Sequence, residues 1–248
     1  MAAIDETSED EKGRDEMSLE ENRLDLSRII FIGRTYEEYM AMFGLSEEEL
    51  QGRTVLDCPG GACAFTARAN ALGVGAVSID IAYGYPARSL EEKGLEDIRH
   101  AMDQMEKARA GFKWDYFSSV EELREHRERA LQECTADMAR YPERYVPAVL
   151  PVLPFDDGRF DLTLSAHFLF MYGDRLDYDF HLKTLRELLR VTRKELRIYP
   201  LVGLSGERYG KMDDLLAQIA QDGCTAEEIR VPYEFQKGTG RMLRIVKG

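Results

Sequence analysis

The chain is predicted to fold as a three-layer α/β sandwich around a seven-stranded, mostly parallel sheet whose last strand is antiparallel. Three observations predict this. The first is a βαβ unit: strand Thr54-Val55-Leu56-Asp57, turn Cys58-Pro59-Gly60-Gly61, an alanine-rich helix from Ala62 to Leu72, and a second strand from Ala76 to Ile81. The second is that strand-like and helix-like patterns then alternate toward the C-terminus. The third is the ending. Glu227–Phe235 and Arg241–Val246 read as strands with only Gln236-Lys237-Gly238-Thr239-Gly240 between them, too short for a parallel crossover, so they must be antiparallel neighbours.

The elements follow in order. Residues 1–22 hold nine acidic and two basic side chains and almost no large apolar ones, the composition of a disordered tail. The folded region, 23–248, opens with N-terminal helices over 23–50. In Arg34–Gly44, Tyr36, Tyr39, Met40 and Phe43 keep helical spacing and Gly44 is the stop. Ser46–Leu50 is a short capped turn. Residues 88–144 interrupt the α/β rhythm. Leu90, Leu95, Ile98, Met102 and Met105, then Val120, Leu123, Leu131 and Met138, mark two helical runs joined through Gly111–Phe117. That is too long for an ordinary connection, and it reads as a helical insertion over the sheet. Tyr145–Leu150 is the third strand and Phe160–Ser165 the fourth. An amphipathic helix spans Tyr178–Arg193, the fifth strand Glu195–Val202, and a further helix Met212–Gln221.

A chain of 248 residues with 44% hydrophobic side chains suits one large domain. No apolar run reaches membrane-spanning length and no hydrophobic signal region opens the chain, so a cytoplasmic protein with no membrane association is expected. The net charge is −13, and no stripe of Lys and Arg interleaves with aromatics. Nucleic-acid binding needs phosphate neutralisation, so a nucleic-acid substrate is disfavoured. Cysteines stand at 58, 63, 134 and 224, a spacing that fits no zinc motif. Four free, mostly buried thiols are expected, and no metal.

The chemistry concentrates at the first turn. Glycine allows a ligand to approach the backbone, and a helix N-terminus offers free amides to an anionic group. Asp80 closes the second strand, 23 residues after Asp57, which suits a carboxylate that accepts both hydroxyls of a ribose. The plainer readings are that Asp57 caps the next helix and that Asp80 is a turn residue. These features fit NAD or S-adenosylmethionine. The pyrophosphate pattern Gly-x-Gly-x-x-Gly is absent and the C-terminal hairpin is unlike a second parallel half, which favours the latter.

Val55-Leu56-Asp57-Cys58-Pro59-Gly60-Gly61-Ala62-Cys63 resembles the first motif of class I (Rossmann-like) S-adenosylmethionine-dependent methyltransferases, usually Val-Leu-Asp-x-Gly-x-Gly-x-Gly. Leu153-Pro154-Phe155, followed by Phe160-Asp161-Leu162, is similar to that family's entry to strand four. Pro59 and Cys63 replace the family's first and third glycines, and Val149 stands where an acidic residue is often found. The resemblance covers roughly residues 50–248 outside the insertion.

It implies that Asp57, Pro59, Gly60 and Gly61 contact the methionine part of the cofactor, that Asp80 holds the ribose, and that Ile81 and Leu150 flank the adenine. Ser165 would lie near the sulfonium. Outside the resemblance, the first helix could close over the cofactor with Arg34 pairing a carboxylate, or it could be an amphipathic helix packed on the sheet. His167 follows strand four, where the family faces the acceptor, and could take the acceptor's proton. A histidine packed on backbone is the alternative. Trp114, Tyr116 and Phe117 would line an acceptor pocket or simply belong to the core. The implied activity is methyl transfer to a small-molecule acceptor. A protein or RNA methyltransferase, or a non-catalytic module that binds an adenosyl ligand, are the other readings. The oligomeric state is not legible.

Overall fold

The computed structural model describes residues 30–248, so the expected tail, 1–22, lies outside the described residues. Helix α1 (Tyr36–Phe43) begins with a capping box: the Thr35 side chain accepts from the Glu38 amide, and the Glu38 carboxylate accepts from the Thr35 amide. Gly44 ends the helix in the left-handed conformation. A second box, Ser46 with Glu49, starts the single turn α2 (Glu47–Leu50).

The βαβ unit is β1 (Thr54–Asp57), α3 (Phe65–Ala71) and β2 (Gly75–Ile79). Helix α3 starts later than Ala62 because the intervening residues are held in the turn. The Cys63 amide bonds the Gly60 carbonyl, and the Ala64 amide bonds the Arg34 carbonyl. After β2 comes a 3₁₀ turn, Ile81–Gly84, and then the insertion: α4 (Ala87–Lys107) and α5 (Val120–Arg140). These two helices pack closely. A Cβ on Gly94 would stand 2.6 Å from a Leu131 methyl, so only glycine fits there.

The remaining elements are β3 (Tyr145–Val146), β4 (Phe160–Ala166), α6 (Tyr178–Val191), β5 (Thr192–Tyr199), α7 (Met212–Gln221), β6 (Cys224–Arg230) and β7 (Arg241–Lys247). They complete one sheet in the order β3-β2-β1-β4-β5-β7-β6. Strands β3, β2, β1, β4 and β5 pair in parallel, and β7 is antiparallel to both its neighbours. The seven-stranded sheet with a reversed last strand is therefore as the sequence predicts. Helices α6 and α7 bury Leu185, Leu188, Leu215 and Ile219 against Leu56, Ile79, Leu196, Ile198 and Leu243 on one face. Helices α1 and α3 and the insertion cover the other.

Three boundaries depart from the sequence reading. β3 has two residues rather than six, since Pro147 has no amide for the ladder. β5 starts at Thr192, directly at the end of α6. β6 is Cys224–Arg230, not Glu227–Phe235. Pro232 stops the ladder, and Tyr233 and Phe235 turn into a ring cluster with Tyr116 and Phe117. Chain order puts β2 and β3 on one side of β1 and β4 on the other. Strand order thus reverses between β1 and β4, and open α/β sheets bind ligands in the crevice at the carboxyl ends of such strands.

Candidate active site

Two segments meet at that crevice. The bend after β1 carries a cis Cys58–Pro59 peptide, then Gly60 and Gly61, the latter at φ 53°. Asp80 follows β2. Its Oδ2 accepts from the Gly61 amide at 3.0 Å and its Oδ1 from the Ala82 amide at 2.9 Å. Asp80 thus caps the 3₁₀ turn and grips the bend at once. Each carboxylate oxygen has accepted one bond and keeps capacity for another. Burial pushes the Asp80 carboxyl up, and the two amides pull the other way.

The two glycines do different work. A Cβ on Gly60 would lie 1.8 Å from Ser78 Oγ and 2.7 Å from the Tyr83 hydroxyl, whereas the same direction at Gly61 is empty to 4 Å. Gly60 lets the bend pack on β2, and Gly61 leaves bare backbone beside Asp80. Tyr83 seals the packed side by donating to the Gly61 carbonyl at 2.8 Å, and the Cys134 thiol from α5 reaches the same oxygen at 3.7 Å.

Asp57 is fully buried below the bend, where Tyr39 of α1 donates to its Oδ1 at 3.1 Å. Its Oδ2 has no partner among the described residues. Burial pushes this carboxyl well above the usual range; the Tyr39 bond opposes this and the Asp80 charge adds to it. Asp57 does not cap α3, whose N-cap is Ala64 with no side-chain bond. Pro59, Ile81 and Leu150 are half-buried, and Leu150 packs against the apolar core.

Ser165 is buried without a partner and pairs in register with Ile198, a residue of the α6–α7 core. His167 should share its face by strand alternation. It does not, because His167 sits in the left-handed region at φ 52°. Its amide is held by the Tyr199 carbonyl at 2.7 Å, and its ring meets the Tyr199 ring edge-on at 5.4 Å. Both ring nitrogens are buried and unpartnered among the described residues. Burial pushes its pKa well below the ordinary value, and the charges of Arg34 and Arg127 push the same way. The ring is thus neutral near pH 7, with one ring nitrogen open to accept a hydrogen bond.

The Arg34 amide donates to Cys63 Sγ at 3.3 Å and the Arg34 carbonyl accepts from the Ala64 amide at 3.0 Å, which seats Arg34 beside the bend. Its charge acts on His167, Tyr199, Tyr233 and Glu38. Its Nε is buried with no partner, and its one side-chain bond goes to the Gly33 carbonyl at 3.1 Å. The structure therefore gathers Pro59, Gly60, Gly61 and Asp80 at the ends of β1 and β2, seats Arg34 against Cys63 and Ala64 just past that bend, and puts His167 directly after β4. Trp114, Tyr116 and Phe117 join a ring cluster with Tyr233 and Phe235, and Phe117 is wholly buried.

Sequence reasoning missed Tyr83, Tyr199, Tyr233 and Arg127. It missed Glu38 too, although Thr35-x-x-Glu38 has the capping-box spacing. All four cysteines are free. Burial holds Cys58 and Cys134 as thiols and pushes Cys63 up to about 12, which makes them poor nucleophiles. No group of three metal-ligating side chains lies together among the described residues. A separate open cavity of about 540 Å³, floored by Phe170 and Tyr209, lies between the loops after β4 and β5 and contains none of the predicted site residues.

No family model matches the chain. The uncharacterized protein MJ0045 of Methanocaldococcus jannaschii is 34% identical over 227 residues, spanning 90% of this chain and 98% of the relative. This chain and MJ0045 belong to one family. Among solved structures, the chain is similar to the 1,6-didemethyltoxoflavin-N1-methyltransferase of Burkholderia thailandensis, with 1,6-didemethyltoxoflavin and S-adenosylhomocysteine bound: 14% identity, 99% of this chain, 91% of that one, TM-score 0.44. It is also similar to the magnesium protoporphyrin IX methyltransferase of Synechocystis PCC 6803 with bound SAM: 13% identity, 100% and 86% coverage, TM-score 0.43. Likeness at this level adds nothing to what the strand order shows. Among the described residues no helix is long and apolar enough to cross a membrane.

Proposed function

We propose that this chain transfers a methyl group from S-adenosylmethionine to a small-molecule acceptor. The observation that carries the reading is the Asp80–Gly61 contact. It puts a carboxylate with spare acceptor capacity beside bare backbone at the point where strand order reverses. The residues fit an adenosyl ligand. Asp80 would take the ribose hydroxyls, Ile81 and Leu150 would flank the base, and Pro59, Gly60 and Gly61 would lie along the amino-acid part. The buried ring nitrogens of His167, unpartnered among the described residues, would face a second ligand.

The cofactor would supply an electrophilic methyl carbon. The chain's part is alignment, exclusion of water and proton removal. The bend and Asp80 would fix one ligand, while α1 and α5 brace the bend from below and from its packed side through Tyr39 and Cys134. His167, neutral and unpartnered, would take the proton from the acceptor's nucleophilic atom at a ring nitrogen. A net charge of −13 favours a small molecule over a nucleic acid.

Calorimetry with S-adenosylmethionine and S-adenosylhomocysteine tests this reading. Binding of both, lost on substitution of Asp80, is the expected result; a folded protein that binds neither ends it.

A further inference from the structure

The chain ahead of α1 lies across the bend that follows β1. A Cβ on Gly33 would stand 1.8 Å from the Ala62 carbonyl oxygen, so main chain rests on main chain there and only glycine fits. The Arg34 amide and carbonyl bond Cys63 Sγ and the Ala64 amide. The bend is thus held on two sides. Ser78 and Tyr83 pack on Gly60, and Gly33 and Arg34 close over Ala62, Cys63 and Ala64. Gly61 between them keeps its free side, empty to 4 Å. A ligand held by Asp80 and passing along Gly61 therefore runs toward Arg34, which is seated two to three residues farther on, at most about 11 Å of chain away.

Arg34 arrives there without a counter-ion. The two carboxylates nearest in sequence are taken, Glu37 by Arg129 and Glu38 by Arg127. Among the described residues no carboxylate lies within salt-bridge distance of Arg34. Its Nη1 donates to the Gly33 carbonyl at 3.1 Å, and its Nε is buried without a partner. A half-buried guanidinium with unused donors is completed by an anion. Its charge is felt at the bend: burial pushes the Cys63 thiol up, the Asp57 charge adds to this, and Arg34 opposes it. Asp57 and Asp80 accept from a tyrosine and from main-chain amides, not from a basic side chain. The site thus offers negative charge at the ends of β1 and β2 and positive charge just past the bend.

Resting on the methyl-transfer reading above, we propose that Arg34 reads the amino-acid end of the adenosyl ligand. Its guanidinium pairs with the ligand's carboxylate, and the site thereby selects adenosyl compounds that carry one. The fork of N–H donors suits a planar two-oxygen anion. A ligand that keeps its amine but lacks the carboxylate brings a bare cation to Arg34, which repels it.

The probes are S-adenosylhomocysteine, its decarboxylated form S-adenosyl-3-thiopropylamine, and 5′-methylthioadenosine, which lacks the amino-acid part altogether. Calorimetry gives the affinity for each. Wild type should prefer S-adenosylhomocysteine to the decarboxylated form by about tenfold or more, within reach of one charge-assisted pair. Arg34→Gln should cut that preference by more than about threefold while holding 5′-methylthioadenosine within about threefold of wild type. Arg34→Lys, which keeps the charge but not the fork, should retain part of the preference. The proposal falls if the wild-type preference is below about tenfold, or if Arg34→Gln cuts it by about threefold or less. It also falls if Arg34→Gln weakens 5′-methylthioadenosine by more than about threefold, since Arg34 would then act by shaping the bend. A wild-type protein that binds 5′-methylthioadenosine and S-adenosylhomocysteine but shows no preference for the carboxylate ends this proposal and leaves the methyl-transfer reading standing. One that binds none of the three ends both.

Discussion

Arg127 of the insertion and Glu38 of the first helix meet at 2.6 Å, and neither side chain has more than 3% of its surface exposed. The Arg127 guanidinium holds the Glu38 carboxyl down at about 2 against the opposing effect of burial. Removing one partner strands a buried charge. Glu38→Gln or Arg127→Met should therefore lower stability by about 3–5 kcal/mol, read from urea unfolding. The pH dependence has a definite sign. A carboxyl depressed in the fold stabilises above its unfolded pKa of about 4.5 and loses that contribution as pH falls toward 2. Glu38→Gln should flatten this acid limb; an unchanged limb would show that the pair contributes nothing.

The neighbouring glycines Gly60 and Gly61 predict opposite outcomes. Gly60→Ala would drive a methyl to 1.8 Å from Ser78 Oγ, so the bend must move or the protein must unfold. Gly61→Ala meets empty space and carries only the left-handed backbone penalty of roughly 1–2 kcal/mol. Thermal unfolding of the two variants checks the order. Equal losses would mean that Gly60 is not packed as described.

Asp80→Asn keeps a side-chain oxygen for one of the amides of Gly61 and Ala82, so the fold should survive. The charge that would hold a ribose is gone. The affinity for S-adenosylhomocysteine should drop by at least about tenfold, which is 1.4 kcal/mol and within reach of one charge-assisted bond. Calorimetry on the folded variant decides this, and unaltered affinity would remove Asp80 from the site.

His167 is held below its ordinary pKa. In the unfolded chain it takes up a proton as pH drops below about 6.5, while the buried ring does not. The neutral ring's contribution is therefore complete above about 6.5 and is lost as pH falls, with a slope of up to about 1.4 kcal/mol per pH unit. His167→Asn should lack that slope between pH 7 and pH 5 relative to wild type. Parallel stability curves for the two proteins would show that the ring protonates freely in the fold.

The sheet was legible because its signals are local: the apolar runs of β1 and β4, the turn after Asp57, and the closing hairpin. Of the three strand boundaries that were not, that of β6 has a tertiary reason. Val231–Phe235 has strand composition, but Tyr233 and Phe235 do more as partners of Tyr116 and Phe117 than as ladder residues. The Asp80–Gly61 end of the crevice could be read from spacing. The His167 end could not, since Arg127 and Glu38 lie 89 positions apart and no periodicity announces a histidine with positive φ. Among the residues missed, only Glu38 left a trace, as the fourth member of a capping box.

The hydroxyl that completes Glu38 comes from Tyr233, 195 positions later. A chain emerging from the ribosome can fold β1 through α6 while that tyrosine is still in the exit tunnel, so Glu38 and Arg127 wait with an unfinished bond. The Glu38–Arg127–Tyr233 cluster is then the last part of the molecule to mature. A nascent chain arrested before Tyr233 should already hold the Asp80–Gly61 contact but leave Glu38 Oε1 without its donor.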